Sequence, residues 1–332
     1  MSHESAAGIL DVPALIDARP IGAAQVLTFL LCFLVVLLDG FDTAAIGYIA
    51  PSLMTEWGVG RAALAPVLSA ALFGLAMGAL AAGPLADRYG RKAVLVAAVV
   101  ELGLACLASA FEADLPQLAA LRFLTGLGLG AAIPNAVTLT SEYGPVRRRA
   151  LLTNMMFSGF PLGAALGGFL AAWMIPTLGW RSVLLLGGAA PLALAALLAL
   201  LLPESVRYLV ARGAAPARIH AVLRLIAHGT GPAAGYDLGA AAAGPGRPAG
   251  LRLVLSPAYR IGLVMLWAAY LMGIDRFGGI AGSFLVAELA GTSLPVTFAL
   301  VAVPALLAAA AVATKRNARR GAAPARAAAL GH

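Results

Sequence analysis

Two aspartates, Asp39 and Asp42, stand three residues apart inside the stretch LLDGFDTAAIGYIAPSL, residues 37–53. The surrounding run is apolar and long enough to cross a bilayer. Residues at i and i+3 share a helix face, so both carboxyls point the same way. Ionised carboxylates facing lipid are costly, and acids inside membranes as a rule face a polar interior or a pathway. A carboxyl pair that gains and loses a proton is what proton-coupled transport requires. The alternative is that the pair only braces a helix bundle through Thr43 and Arg122.

Arg122 is a second unusual charge, just inside another apolar segment. Asp42 lies about eight residues from the outer end of its segment, or ~12 Å, and Arg122 about five, or ~8 Å, at the helical rise. Those depths allow contact. Arg122 then either neutralises an aspartate or grips a substrate carboxylate with a two-pronged hydrogen bond. Glu101, near the centre of a third segment, either snorkels, pairs or sits protonated.

Other chemistries find no residues. The histidines, His3, His220, His228 and His332, fall in tails or loops, which excludes a histidine relay inside the membrane. Cys32 and Cys106 are isolated in apolar runs and form neither a disulfide framework nor a metal site. No nucleophile–base arrangement, metal-ligand cluster or phosphate-cradling loop is present. An enzyme is therefore not expected, and neither is a cofactor or metal.

The elements that must hold these residues follow from composition. The 332 residues are 61% hydrophobic and only 11% charged, where soluble domains carry roughly 25% charged residues. This predicts an all-α polytopic membrane protein. Six apolar segments, at 24–50, 62–86, 93–111, 117–141, 150–175 and 181–202, each reach the roughly 20 residues a crossing helix needs. Two more follow at 258–290 and 295–314. The organisation expected is an N-terminal segment 1–23, a six-helix bundle 24–202, a loop 203–257, a C-terminal part 258–314 and a basic tail 315–332. The start of the chain shows no cleavage pattern of a secretory leader.

The net charge of +8 does not point to nucleic acid, because positive inner loops produce the same excess. With the N-terminus inside, 19 of the 23 basic residues fall on one side, which predicts eight crossings with both termini cytoplasmic. In the long loop, Ile219, Val222, Leu223 and Ile226 recur at helical spacing. They predict a short amphipathic helix, lying on the inner membrane surface or packed under the bundle.

Between the second and third segments lies GPLADRYGRK, residues 83–92. The order G-x-L-A-D-R-x-G-R-K resembles the signature loop of the major facilitator superfamily. Gly-rich RFLTGLGLGAAIPNA (122–136), GFPLGAALGG (159–168) and PESVRYL (203–209) follow in that superfamily's order. DGFD with GYIAPSL, and IPNAVTLTSEYGPVRRRA (133–150), resemble its aromatic acid:proton symporter group. The resemblance implies a major facilitator-type six-helix N-terminal bundle plus about two C-terminal transmembrane helices. It implies a gating loop built on Gly83, Asp87, Arg88, Gly90 and Arg91. It implies that Asp39 and Asp42 serve in proton coupling and substrate transport, and Arg122, Asn135 and Glu142 complete the candidate proton-coupling and substrate set. The partners implied are a small aromatic carboxylate, a proton and the lipid bilayer of a bacterial-type inner membrane, the protein being a monomer. A carrier of another small organic solute, or a non-transporting membrane remnant, are the alternatives.

Carriers of this superfamily have two six-helix halves. Here RIGLVMLWAAYLMG resembles the start of the seventh helix, DRFGGIAGSFL the eleventh and LPVTFALVAVPALLAAAAVA the twelfth. An internal deletion with a join near Gly273 is the expectation, and with it little transport by this chain.

Overall fold

The computed structural model describes residues 9–226, 233 and 235–238. The chain divides into two compact units, Met1–Ala243 and Gly244–His332, and every described residue lies in the first. The expected segments 258–290 and 295–314, the join near Gly273 and the basic tail lie outside the described residues.

The bundle consists of α2 (Ala23–Trp57), α3 (Ala65–Tyr89), α4 (Arg91–Ser109), α5 (Leu115–Tyr143), α6 (Arg149–Phe157), α7 (Gly159–Leu178) and α8 (Arg181–Leu201). With α6 and α7 counted as one crossing, six spans are long and apolar enough to cross a membrane. The six expected segments are all present. Two differ in form. The first runs on past Pro51 to Trp57, where Gly58 adopts the left-handed backbone that ends it. The fifth divides at Ser158 into α6 and α7. Local chemistry sets the other ends. Asp114 accepts a hydrogen bond from the Gln117 N–H at 2.8 Å and starts α5. Gly90, at φ +100°, makes the sharp turn between α3 and α4.

Helices in lipid gain little from hydrophobic burial, so close packing of small residues joins them. On α3, a Cβ at Gly74 or Gly78 would overlap the carbonyl oxygens of Phe123 and Leu127. On α5, Gly126 and Gly130 stand in the same relation to Ala71 and Leu75. A similar interlock joins α2 to α7, through Gly40 against Phe160 and Gly163 against Leu37. The bundle core has two apolar clusters. One holds Leu31, Val35, Leu95, Leu139 and Leu198; the other holds Ile46, Ile49, Leu53, Leu118 and Leu184. Asp39 and Asp42 occupy α2 between them.

Beyond α8, α9 (Val206–Ala211) and α10 (Pro216–Ile226) cover one end of the bundle. Ile219, Leu223 and Ile226 of α10 are buried in the same cluster as Leu31 and Leu198. Of the two placements open to this amphipathic helix, packing under the bundle is the one found. A short α1 (Val12–Asp17) precedes the bundle, and β1 (Ile9–Asp11) pairs in parallel with β2 (Gly235–Asp237). This small pairing departs from the all-helical expectation. Three-residue strands carry no periodicity by which they could be recognised.

Candidate functional site

Asp42 and Arg122 meet at the centre of the bundle. Arg122 Nη1 donates to Asp42 Oδ1 at 2.9 Å. Both residues are buried, at 4% and 1% exposure, so the charges are screened by each other and not by water. Within α5, Thr125 Oγ1 donates to the backbone carbonyl of Arg122 at 2.8 Å. Arg122 Nη2 reaches Ser109 Oγ at 3.4 Å. Arg122 Nε is buried with no hydrogen-bond partner among the described residues. The guanidinium is therefore tied to one carboxylate oxygen and keeps donor capacity in reserve.

Asp39 is also buried, at 1% exposure. It accepts from Thr43 Oγ1, one turn along α2, at 3.3 Å. Asn135 is buried and spends its Nδ2 on the Ala131 carbonyl of its own helix, at 2.8 Å. It makes no described bond to the acid pair.

Glu142 lies elsewhere. It sits at the end of α5 near Tyr143, where Arg91 Nε approaches Oε1 at 3.3 Å and Ser205 Oγ donates to Oε2. The structure therefore groups Glu142 with the expected gating loop and not with Asp39, Asp42 and Arg122. Arg91 also reaches Asp87 at 3.6 Å, one turn back. The Asp87 side chain is otherwise open to solvent, at 77% exposure. Arg88 offers its backbone carbonyl to Arg212 Nη2 at 2.5 Å and to the Tyr208 hydroxyl at 3.2 Å. At Gly83 nothing stands within 4 Å of where a Cβ would be, so no described helix makes a close approach there. Glu101 is partly exposed on α4.

Several residues of this cluster were not singled out from sequence. Glu204 Oε1 accepts the Lys92 N–H at 3.0 Å, which ties the start of α4 to the segment after α8. The Tyr143 hydroxyl donates to the Glu204 carbonyl at 2.5 Å. A Cβ at Gly90 would collide with the Glu204 carboxylate. The motif PESVRYL contained the signal, a carboxylate placed just before a short helix near a basic loop. At the opposite end of the bundle, Glu56 accepts from Trp180 Nε1 and pairs with Arg181, both at 2.6 Å. A recess among Ile21, Gln25, Phe29, Thr140, Tyr143 and Leu152 touches none of the acid-pair residues.

The description of the Major Facilitator Superfamily matches residues 32–331. The chain belongs to that superfamily. It is a multi-pass membrane protein with the superfamily's six-helix bundle in its N-terminal part. Among curated relatives, it is 53% identical to the 4-hydroxybenzoate transporter PcaK of Pseudomonas aeruginosa over 266 residues, covering 80% of this chain and 59% of that one. It is 52% identical to the gallate transporter of Pseudomonas putida over 265 residues, with the same coverage. The 3-(3-hydroxy-phenyl)propionate transporter of Escherichia coli is 42% identical over 193 residues, covering 57% and 47%. The chain spans about three-fifths of the length of the first two relatives. Among solved structures, the proton:xylose symporter XylE superposes with a TM-score of 0.54 at 25% identity, covering 61% of this chain and 50% of that one.

Proposed function

We propose that this chain carries the N-terminal bundle of a proton-coupled carrier for aromatic carboxylates of the hydroxybenzoate class, working by alternating access, and that it is not an enzyme. The observation that carries the reading is the buried Asp42–Arg122 pair, with Asp39 one turn away on the same helix. The printed functions of the relatives supply the substrate class.

With Asp42 ionised, the pair is neutral as a whole and Arg122 is held. A proton delivered to Asp42 removes its charge, and Nη1 loses its charged acceptor. A buried arginine left in that state is unfavourable by about 3–5 kcal/mol. A substrate carboxylate relieves it by accepting from the planar guanidinium fork, helped by the unpartnered Nε. When proton and substrate leave, the pair closes again. Asp39 is the adjoining acid through which the proton reaches Asp42. Arg122 thus serves both roles that the sequence left open, in successive states.

The end bearing Arg88, Arg91, Lys92 and Arg147–Arg149 is cytoplasmic, because basic loops are retained inside. Glu142, Asp87, Arg88, Gly90 and Arg91, with Glu204, form the inner gate. The protein sits as a monomer in a bacterial inner membrane with both termini cytoplasmic.

Labelled 4-hydroxybenzoate uptake into vesicles with an imposed proton gradient tests the reading. The chain is compared with a form in which the helices of a full-length relative are restored at Gly273. Gradient-driven uptake by the restored form, abolished in Asp39→Asn and Asp42→Asn, is the expected result. Uptake unchanged in both variants overturns the coupling role of the acids.

A further inference from the structure

Cys106 and Ser109 are one turn apart on α4 and both fully buried, at 1% and 0% exposure. Each touches one member of the ion pair. The Cys106 thiol lies 3.5 Å from Asp42 Oδ1. Ser109 Oγ lies 3.4 Å from Arg122 Nη2. The serine donates its own hydroxyl hydrogen to the Ala105 carbonyl at 2.8 Å, which leaves its lone pairs for the guanidinium. The thiol has a second acceptor within reach, the Leu184 carbonyl of α8, also at 3.5 Å. An ionised carboxylate is the stronger acceptor of the two. The sulfur is confined as well, because a Cβ at Gly187 on α8 would stand 3.0 Å from it.

We infer that Cys106 and Ser109 are positioning residues that hold the Asp42–Arg122 pair from α4, with the Cys106 thiol shared between Asp42 and the Leu184 carbonyl. The thiol and the hydroxyl fix the two ends of one ion pair, so a single helix turn sets its geometry. A proton on Asp42 weakens the carboxylate as an acceptor, and the thiol turns to Leu184. The charge state of the pair is thereby passed to the contact between α4 and α8. The functional meaning of this device rests on the carrier reading; its geometry does not.

The test is infrared spectroscopy of the purified full chain carrying Cys32→Ala, in which Cys106 is the sole remaining thiol. The S–H stretching band is expected at lower frequency than that of a thiol bonded to a backbone carbonyl. Asp42→Asn is expected to move it up. Ser109→Ala is expected to move it the same way, because the guanidinium, losing one anchor, closes on Oδ1 and draws electron density from it. Ser109→Thr, which keeps the hydroxyl, should leave the band in place. Circular dichroism identifies folded variants, and if Asp42→Asn does not fold, the Ser109→Ala and Ser109→Thr comparison decides. A band indifferent to Asp42→Asn overturns the thiol's part, since it then serves Leu184 alone, and a band indifferent to Ser109→Ala overturns the serine's part in setting the pair. A shifted band in a protein whose restored form takes up no 4-hydroxybenzoate keeps the positioning role and removes the carrier reading.

Discussion

Arg122 and Asp42 lie 80 positions apart in sequence and 2.9 Å apart in the bundle, both shut away from water. A buried pair is weak evidence of net stabilisation, because desolvation offsets much of the attraction. Removing one partner is a different matter. Asp42→Asn leaves an uncompensated guanidinium and is expected to cost about 3–5 kcal/mol. The double variant Asp42→Asn, Arg122→Met removes the stranded charge and should recover most of that loss. Unfolding of the purified chain in detergent measures both. A double variant no more stable than Asp42→Asn refutes the uncompensated charge as the cause.

Arg122→Lys separates charge from shape. Lysine keeps the charge and can still satisfy Asp42, so stability should fall by less than in Asp42→Asn. It lacks the planar fork that grips a carboxylate. Uptake of 4-hydroxybenzoate by the restored form should therefore drop at least tenfold, a loss of about 1.4 kcal/mol in transition-state terms. Full uptake in Arg122→Lys contradicts a carboxylate-binding role for the fork.

The glycines divide sharply by position. Gly126→Ala drives a methyl into the Ala71 carbonyl, and overpacking of this kind costs about 1–3 kcal/mol. Gly83→Ala meets nothing within 4 Å and lies inside α3. It should be neutral or stabilising by up to about 1 kcal/mol, the helix propensity difference. Thermal unfolding of the two variants side by side gives the contrast. A Gly126→Ala variant as stable as the original chain would show that α3 and α5 do not interlock as described.

The sequence made the acid–arginine pair legible because charges are so rare in its apolar segments that each one demands a partner. Depth along two helices was enough to allow contact between Asp42 and Arg122, and left open whether the arginine serves an aspartate or a substrate. Glu142 shows where that reasoning stops. It lies in the same motif as Asn135, but seven positions along a helix is two turns, and two turns separate the buried centre from the basic loop. The amphipathic pattern of Ile219, Val222, Leu223 and Ile226 revealed a helix but not what its apolar face covers. Lipid and the underside of a bundle are equally apolar, and only packing distinguishes them. Cys106 and Ser109 gave no signal at all, since neither residue type is unusual in a membrane helix.

Packing of α10 can be measured directly. Leu223 is fully buried in the cluster that includes Leu31 and Leu198. Leu223→Ala should destabilise the bundle by about 2–5 kcal/mol, the range for leucine truncation in a packed core. Leu225, at 52% exposure on the other face, should tolerate the same change within about 0.5 kcal/mol. A helix lying only on the membrane surface would show no such difference between the two.

Glu204 is the hinge of the basic-loop end. Its carboxylate accepts the backbone N–H of Lys92 at 3.0 Å and of Ser205 at 2.9 Å. Its carbonyl accepts from Tyr143. Ser205 in turn donates to Glu142, which pairs with Arg91. Through its carboxylate, its carbonyl and the neighbouring Ser205, this one residue therefore connects the turn at Gly90 to the ends of α5 and α8. Glu204→Ala removes the acceptor from Lys92 and leaves the Arg91, Tyr208 and Arg212 contacts to hold the loop. Local opening then becomes easier, and proteolysis of a transiently opened segment tracks its open population. Trypsin cleavage after Arg88, Arg91 or Lys92 in the purified chain should become about tenfold faster, which corresponds to about 1.4 kcal/mol of lost local stability. Glu204→Gln keeps a carbonyl oxygen at the same place and should stay within about threefold of the original rate, given the modest net worth of a neutral hydrogen bond. Cleavage equally slow in Glu204→Ala would mean that the loop is held by Arg91, Tyr208 and Arg212 without help from this carboxylate.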